Sequence, residues 1–493
     1  MKKILFTALI GLLITNASAQ SDLDVLRYSQ GDISASTARA LGLGGAIGAM
    51  GADQTSILVN PAGLAQYRTG TFNITLSTAT KQNDADYLGN TRRSNLFNGQ
   101  FNSINLVNTQ VKTQNGNPLK RGWVNTNWAI GYNRTSDFNR NISYKGTSNN
   151  SYTNYVAQYV QGLDVSQLDA NDEQLAQGFY YMENMFWYGY LIDSASSGNY
   201  HANMDNVAGN IGQSGNVVTR GSSGEFNLAF AGNYEHKIYF GAAINVHNVN
   251  YTETNVFSEI DNPNTSGNWS SFDLTRNLET NGQGFSGRLG VIFRPNNNIR
   301  IGGTMHTPTL LNLTDKYSDE LFVLYDDGSL EDLTTIDKEF SYTVVTPAKY
   351  GLQGTYIFGK QGLLSAEIET SDYSTMNLSS DDAFFDGVNE LITEKYGTAT
   401  TFKIGGEYAV SDFRLRGGFA SIGSPLQNGG DYRRNIISGG VGFQEKAWAF
   451  DFGLAREITS DVYVPYALNS EPSGAVNSKL RNTRIMLTLT TKF

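Results

Sequence analysis

Residues that could carry catalytic or metal chemistry are few in this chain, and none follows a spacing that such chemistry requires. Its four histidines are scattered and form no His-Glu-x-x-His or comparable ligand pattern: His201, His236, His247 and His306. No Gly-x-Ser-x-Gly sequence presents a serine nucleophile, and the chain has no cysteine. The glycine-rich "GLGGAIG" follows no predicted strand and lacks the Gly-x-Gly-x-x-Gly spacing of a dinucleotide loop. We therefore predict no enzyme, no metal site and no cofactor.

The first residues have the pattern of a secretory signal peptide. Lys2 and Lys3 precede an apolar run over residues 4–14, and small residues at 17–19 supply a cleavage site. Removing residues 1–19 changes the net charge from −10 to −12, which argues against nucleic acid as a partner. The sequence thus predicts an exported protein whose mature chain begins at Gln20.

Beyond residue 70 the hydrophobic pattern has a period of two. In "TFKIGGEYAV", Phe402, Ile404 and Tyr408 share one face, while Lys403 and Glu407 share the other. The same separation of apolar and charged faces recurs in "FRLRGGFA", "WAFDFGLA" and "EFNLAFAGNY". Such strands fit both a soluble β-sandwich and a barrel wall between lipid and a polar interior.

The connections between the predicted strands separate these two architectures. Fourteen strands are predicted near 71–80, 124–134, 139–147, 223–234, 237–249, 282–294, 298–309, 341–357, 361–373, 396–409, 412–420, 434–444, 447–456 and 481–493. Six short turns alternate with seven long loops, at 81–123, 148–222, 250–281, 310–340, 374–395, 421–433 and 457–480. An even number of antiparallel strands with short turns at one end is the outer-membrane barrel pattern. We predict an all-β fold, a closed antiparallel 14-stranded transmembrane β-barrel over residues 70–493.

A barrel of this size encloses a wide lumen, and the segment before the first strand could fill it. Residues 20–69 enter from the short-turn end and contain small residues, with five glycines between Gly42 and Gly51 and no strand period. Irregular backbone is tolerated inside a barrel because it does not face lipid. We predict a plug over residues 20–69, in which Gly44 and Gly45 serve tight turns and Asn60-Pro61-Ala62 forms a rigid turn before the first strand. An ordinary turn at that junction is the alternative interpretation.

One long loop departs from the strand pattern. Residues 148–222 are predicted to be an extracellular loop, and apolar side chains recur there at spacings of three and four, which predicts amphipathic helices. Their aromatic, methionine-containing face could pack within the loop or capture a hydrophobic ligand. The candidates for ligand capture are Phe179, Met182, Met185, Phe186 and Trp187.

Alternation also places charged side chains in the predicted lumen. The inward-facing candidates are Arg288, Arg300, Glu367, Glu369, Lys403, Glu407, Arg414 and Arg416. Because unpaired buried charge is costly, most of them should pair with each other or with the plug. One cation could instead meet the carboxylate of a ligand.

The N-terminal stretch "ARALGLGGAIGAMGADQTSILVNPAGLA", followed by a strand, resembles the hatch of FadL-type outer-membrane transporters of long-chain fatty acids and hydrocarbons. The resemblance continues in "GRLGVIFRPNNNIRIGGTMHTPT", "TPAKYGLQGTYIF" and "RLRGGFA", in the family's order. It implies a 14-stranded barrel, a hatch that includes Asn60, Pro61 and Ala62, and a wall that a kink in an early strand can open sideways. Only Gly146 suggests such a kink in the predicted third strand.

The predicted function is therefore passive uptake of hydrophobic small molecules across the outer membrane of a Gram-negative-type bacterium, gated by the hatch. The alternative is a related barrel that serves as an assembly or shuttle subunit of a protein secretion system. Expected partners are a hydrophobic ligand, outer-membrane lipids and lipopolysaccharide, and no nucleic acid. The alternating last strand ends on the aromatic Phe493, a pattern that barrel-assembly machinery commonly recognises, so we expect this machinery as a partner during biogenesis. We expect the protein to be a monomer.

Overall fold

The structure is a computed structural model. It describes residues 20–33, 35–169, 181–196, 198–204, 211–261, 269–335, 337–427, 432–468 and 474–493. The predicted signal peptide, residues 1–19, and the candidate Phe179 lie outside the described residues. Among the described residues, no helix is both long enough and apolar enough to cross a membrane.

The alternating segments form fourteen wall strands, three of which consist of two consecutive segments. The strands are β1 (Thr71–Tyr87), β2 (Asn90–Val111), β3 (Trp123–Asp137 and Arg140–Ser148), β4 (Ile211–Tyr234), β5 (Ile238–Asp261), β6 (Trp269–Phe293), β7 (Ile299–His306 and Leu310–Tyr325), β8 (Lys338–Val345 and Lys349–Ile357), β9 (Gly362–Asp372), β10 (Thr398–Val410), β11 (Phe413–Ile422), β12 (Arg434–Gln444), β13 (Trp448–Tyr463) and β14 (Val476–Lys492). Each strand pairs antiparallel with the next, and β14 pairs with β1 from Thr71↔Lys492 to Asp86↔Asn477. The predicted closed 14-stranded antiparallel barrel is confirmed.

One strand was missed and one strand was divided into two, and these two errors cancel in the count. The predicted long loop 81–123 contains all of β2, which joins β1 through a tight turn at Leu88 and Gly89, both with positive φ. The predicted strand at 139–147 is the outer part of β3, because both segments of β3 pair with β4. The predicted hairpin turn at 134–138 is therefore an irregular stretch within one strand, with a bulge at Thr135 and a break at residues 138–139. The break, and not Gly146, is the irregular point of β3.

The two faces of the wall differ in the way a bilayer requires. Large apolar side chains point outward, such as Phe97 at 69%, Leu352 at 72% and Ile437 at 68% exposed. Polar side chains such as Asn133 and Glu367 point inward and are buried. An apolar outer belt around a polar interior suits lipid, whereas in water it would be an unusually large hydrophobic surface.

The strand connections place functional segments at opposite ends. Short turns join β4 to β5, β6 to β7, β8 to β9, β10 to β11 and β12 to β13, and Phe493 ends at the same side. The opposite end carries two long connections. The connection between β3 and β4 is called the cap, and the other connection joins β9 to β10. Helices in the plug and in these two connections are α1 (Asp22–Ser29), α2 (Ala38–Gly42), α3 (Ser56–Val59), a 3₁₀ helix (Pro61–Gln66), α4 (Tyr152–Tyr159), α5 (Val165–Leu168), α6 (Tyr181–Tyr188), a second 3₁₀ helix (Tyr373–Thr375) and α7 (Asp386–Lys395).

An arginine at Leu352 tests whether the outer belt faces lipid. Leu352→Arg should lower the free energy of unfolding in lipid vesicles by about 2–4 kcal/mol, because the charge would lie in hydrocarbon. The matched control is Leu391→Arg on α7, where an exposed leucine lies outside the wall and the loss should stay within about 0.5 kcal/mol. Equal losses for the two variants in urea titrations would contradict the assignment.

Candidate functional site

The plug is built from short helices that cap themselves. Thr37 begins α2 by accepting a hydrogen bond from the backbone N–H of Ala40 at 3.1 Å. The same hydroxyl donates to the carboxylate of Asp53, which ties α2 to the segment before α3. Asn60 caps the 3₁₀ helix by accepting from the N–H of Ala62 at 3.1 Å, and Pro61 occupies the first position, where no N–H is needed.

The Asn60-Pro61-Ala62 turn lies against the wall rather than at the entrance to β1. The amide of Asn60 donates to Gln353 Oε1 at 3.2 Å and to the carbonyl of Val291 at 3.4 Å. The backbone of Pro61 and Ala62 lies directly on Gly241 of β5, where an added Cβ would overlap Pro61. The turn therefore anchors the plug to β5, β6 and β8.

Glycines on both sides bring the plug backbone onto the wall at a second place. Gly44 and Gly45 have φ of +63° and +74°, so both occupy the left-handed region that favours glycine, as the tight-turn prediction requires. A Cβ at Gly44 would lie 2.8 Å from the backbone nitrogen of Phe419, and a Cβ at Gly418 would overlap the nitrogen of Gly44. These glycines thus serve close backbone packing as well as turning.

A chain of ion pairs connects the plug to β10, β11 and β13. Arg39 of the plug binds Glu407 through Nε and Nη2, at 2.9 and 3.0 Å. Glu407 also accepts from Arg416 Nε at 2.7 Å, and Arg416 Nη1 binds Asp451 at 2.7 Å. The predicted lumen charges Glu407 and Arg416 are therefore brought together, and each finds a partner.

A second group of ion pairs between the plug and the wall, which we call the clasp, was not predicted from the sequence. Asp32 of the plug contacts Arg434 of β12 and Arg484 of β14, and Arg434 Nη1 also donates to the carbonyl of Gly31 at 3.0 Å. The only sequence signal for this clasp is that Arg434 and Arg484 fall on the inward face of their strands. Asp32 lies in an irregular segment, where no period indicates its direction.

The other predicted lumen charges separate into two groups. Arg288 makes a bidentate pair with Glu225 at 2.6 and 2.7 Å, and Lys403 binds Glu367 at 2.8 Å and approaches Glu369 at 3.9 Å. By contrast, Arg300 donates to the carbonyl of Met50, and Arg414 donates to the carbonyls of Ser411 and Phe413 in its own turn. Among the described residues, neither Arg300 nor Arg414 forms an ion pair.

A cavity of about 160 Å³ lies between the plug and the wall, and we call it the lumen cavity. The plug contributes Tyr28 to Ile33 and Leu58 to its lining. Its charged lining residues are Arg134, Arg288, Lys349, Lys403 and Arg434, opposed by Asp32, Glu225 and Glu369. Three of these cations have carboxylate partners just outside the lining, since Arg134 pairs with Asp137, Arg434 with Glu457 and Lys403 with Glu367. Among the described residues, Lys349 has no ion-pair partner.

The histidines of the wall face this interior but show no metal geometry. His247 and His306 line the lumen cavity, as their alternation predicts. His306 Nε2 contacts the carbonyl of Val59 at 3.0 Å, and His247 Nε2 contacts Ser286 Oγ at 2.7 Å. Across the part of the chain that the structure describes, no three His, Asp or Glu side chains are placed to hold a metal ion.

The candidate capture residues lie mainly inside the cap. Met185 and Phe186 of α6 are 3% and 0% exposed, and the Phe186 ring packs on Phe272 with centroids 5.7 Å apart. Met182 and Trp187 are partly buried against the same cluster. This arrangement favours the interpretation that the α6 face packs within the cap. In the described part of the cap, the exposed aromatic side chains are Tyr159, Tyr188 and Tyr190, none of which was among the predicted capture residues.

A methyl group at Gly241 tests whether the Asn-Pro-Ala turn holds the plug in place. Gly241→Ala should displace the turn and raise permeability to a hydrophobic dye, because the new Cβ would occupy the position of the Pro61 backbone. Gly354→Ala in β8 is the matched control, since nothing lies within 4 Å of its Cβ position. Pro61→Gly should act in the same direction by loosening the turn. Dye entry that is the same in Gly241→Ala and Gly354→Ala cells would refute this role.

The buried carboxyl of Glu183 should make the cap sensitive to pH. Burial raises its pKa from 4.5 to about 7, with Asp319 acting in the same direction and Arg276 against it. Between these two pKa values the folded cap keeps a proton that an opened cap releases. Protonated Glu183 therefore stabilises the folded cap fully below about pH 4.5, and this contribution is lost as the pH rises to about 7. Hydrogen exchange of α6 should accelerate over this window relative to Glu183→Gln at the same pH. A constant ratio between the two proteins would contradict the burial argument.

The protein resembles solved structures in fold, without a detectable relative in sequence among protein families or curated proteins. No protein-family model and no curated protein matches the sequence. A FadL homologue of Pseudomonas aeruginosa superposes with a TM-score of 0.56 at 12% identity, over 93% of this chain and 98% of that one. The toluene transporter TodX of P. putida superposes with a TM-score of 0.54 at 12% identity, over 94% of this chain and 99% of that one. At this identity the likeness concerns architecture, and the chain has the fold of these FadL-type barrels, a 14-stranded wall closed around an N-terminal plug.

Proposed function

We propose that the protein is an outer-membrane channel for passive uptake of hydrophobic small molecules, such as long-chain fatty acids or aromatic hydrocarbons, gated by the plug as a hatch. The observation that carries this proposal is a wall with an apolar exterior whose lumen is filled by a separate N-terminal segment. The solved structures with the same fold are described as a FadL homologue and a toluene transporter, which supports this class of solute.

The lining of the lumen cavity favours a solute with an anionic end over a pure hydrocarbon. The unpaired ammonium of Lys349 fits a carboxylate, and the small volume holds a head group rather than a whole chain. We therefore favour fatty acids as the cargo. Passage would require the plug segment 28–33 to move, because that segment forms one side of the cavity.

The break in β3 is our candidate for a sideways exit through the wall. β2 pairs with β3 only from Ser103↔Asn133 to Val111↔Asn125, so the outer segment of β3 has no ladder with β2. Arg134, Thr135 and Ser136, at the bulge before the break, also line the lumen cavity. A solute that displaced the neighbouring plug segment would meet the least paired part of the wall.

A shuttle or assembly subunit of a secretion system is the second candidate. The ion-pair chain through Arg39 and the clasp on Asp32 favour it, because both would suit a barrel that stays closed. A shuttle should copurify with secretion components and keep its lumen occluded while it works. A transporter should accumulate its solute in proportion to expression.

Uptake of a labelled long-chain fatty acid tests the proposal directly. Cells that lack the gene should lose most of the saturable accumulation, and the wild-type gene should restore it. Lys349→Gln should reduce uptake of the acid but not of its methyl ester, whereas Lys360→Gln in an exposed turn should change neither. Accumulation that does not depend on the gene would favour the shuttle.

A further inference from the structure

A second cavity, at the short-turn end of the barrel, is separate from the lumen cavity. It has a volume of about 300 Å³ and lies between the plug and the ends of β4, β5, β7 and β8. We call it the mouth pocket and define it by its four arginines, Arg39, Arg68, Arg294 and Arg300. The plug supplies the first two and the wall supplies the other two.

The mouth pocket is strongly positive. No Asp or Glu is among its lining residues, and His236 adds a fifth ionisable nitrogen group to the four arginines. Arg39 pairs with Glu407 and donates to the carbonyl of Ala52, and Arg294 donates to Asn296 and Asn297 in its own turn. Within the described ranges, Arg68, Arg294 and Arg300 form no ion pair, so their charges are not neutralised by a carboxylate. Burial lowers the pKa of His236 in the turn, and the charges of Arg68 and Arg294 act in the same direction.

Two buried donors on the rim lack an acceptor. Arg300 Nε and Gln66 Nε2 are both inaccessible to solvent, and neither has a hydrogen-bond partner among the described residues. Arg300 uses Nη1 to reach the carbonyl of Met50, which fixes the guanidinium beside the pocket. A buried donor without an acceptor costs about 1–3 kcal/mol, so each of these two side chains would gain by turning its N–H toward an anion in the cavity.

The number and kind of donors indicate the chemistry of that acceptor. A carboxylate has two oxygens, whereas four guanidinium groups and two unpaired N–H groups present more donors than it could satisfy. A phosphate group offers more oxygens and more negative charge, and arginine forks match its geometry. A solvated arginine cluster would leave the two buried donors unexplained.

We propose that the mouth pocket binds a phosphate group, either as free phosphate or as the head group of a phospholipid, and that the bound anion bridges the plug to the wall. This site lies beyond the proposed transport function and does not depend on which solute the lumen carries. Binding should stabilise the plugged barrel, because the anion contacts Arg39 and Arg68 on one side and Arg294 and Arg300 on the other.

Thermal unfolding of the full-length mature protein in maltoside micelles tests the proposal with inorganic phosphate as the probe. The melting temperature should rise saturably with phosphate relative to chloride at equal ionic strength. Arg300→Gln should shift half-saturation to about tenfold higher phosphate or more, because it removes a charged donor. Arg414→Gln is the matched control, since Arg414 also lies near a short turn but does not line the mouth pocket, and it should respond like the wild type. If Arg300→Gln does not fold, Gln66→Leu replaces it.

A second readout separates binding from general salt effects. The pKa of His236, followed by NMR and assigned with His236→Gln, should rise when phosphate fills the pocket, because an anion offsets the charges of Arg68 and Arg294. Micelles that contain phosphatidic acid form the lipid arm, with diacylglycerol as the uncharged comparison. Arg300-dependent stabilisation by phosphatidic acid alone assigns a lipid head group, and stabilisation by inorganic phosphate assigns the free anion. A response that is equal in Arg300→Gln and Arg414→Gln in both arms, with an unchanged His236 pKa, would overturn the proposal.

Discussion

Every backbone N–H and C=O that faces lipid must find its hydrogen-bond partner within the protein, because hydrocarbon offers none. For a sheet this requirement means closure, and here β14 closes onto β1 along sixteen consecutive residue pairs. Closure of fourteen strands leaves a lumen too wide for wall side chains alone to fill. The remaining features follow from this constraint. A segment is needed to fill the lumen, the filler needs polar contacts because the inner wall is polar, and it must remain separable if anything is to pass.

The plug meets these conditions by contacting the wall in two different ways. At Gly241, Gly418 and Gly405 the plug backbone lies on the wall backbone, which gives close contact without interlocking side chains. Around these contacts, ion pairs such as Arg39–Glu407 fix the orientation of the plug relative to the wall. Partly buried ion pairs hold a unique arrangement without a large net contribution to stability, since each charge loses hydration when it pairs. This combination suits a filler that is well positioned and can still be displaced.

Irregular points in the wall are also points of contact with the plug. In β2 an extra residue at Asn102 forms a bulge, and the side chains of Asn102 and Ser103 both bind the carbonyl of Ser36. In β3 an extra residue at Thr135 presents its carbonyl to the N–H of Asp32 at 3.0 Å. Bulges re-aim side chains and backbone groups at the cost of a regular ladder. Here they direct polar groups toward the plug.

The same bulges explain which parts of the fold could be predicted from the sequence. Strict alternation revealed the outer face of β10, β11 and β13 and the inward charges Glu407 and Arg416, whereas the strand total was right because one missed strand and one divided strand cancel. β2 was missed because the bulge at Asn102 reverses its alternation, and Asn95 and Arg93 occupy the outward face beyond Phe97. β3 was divided because Thr135 interrupts its period. The plug partners Asp32 and Arg39 could not be predicted, since an irregular segment has no period that indicates direction. The burial of Met185 and Phe186 depends on long-range packing that helical spacing alone does not reveal.

If the plug must move for a hydrophobic solute to pass, a reversible tether between plug and wall should stop uptake. The chain has no cysteine, and a Cβ at Gly302 of β7 would lie 3.4 Å from the Cβ of Ala49 in the plug, with only the ends of the Gln353 and Asn60 side chains closer to it. This separation is near that of a disulfide, which the double variant Ala49→Cys/Gly302→Cys would form. The measurement is uptake of a labelled long-chain fatty acid by cells with this variant, oxidised and then reduced, with disulfide formation checked by mass spectrometry. We expect oxidation to abolish uptake and reduction to restore it. Equal uptake in both states, with the disulfide formed, would contradict a mobile hatch.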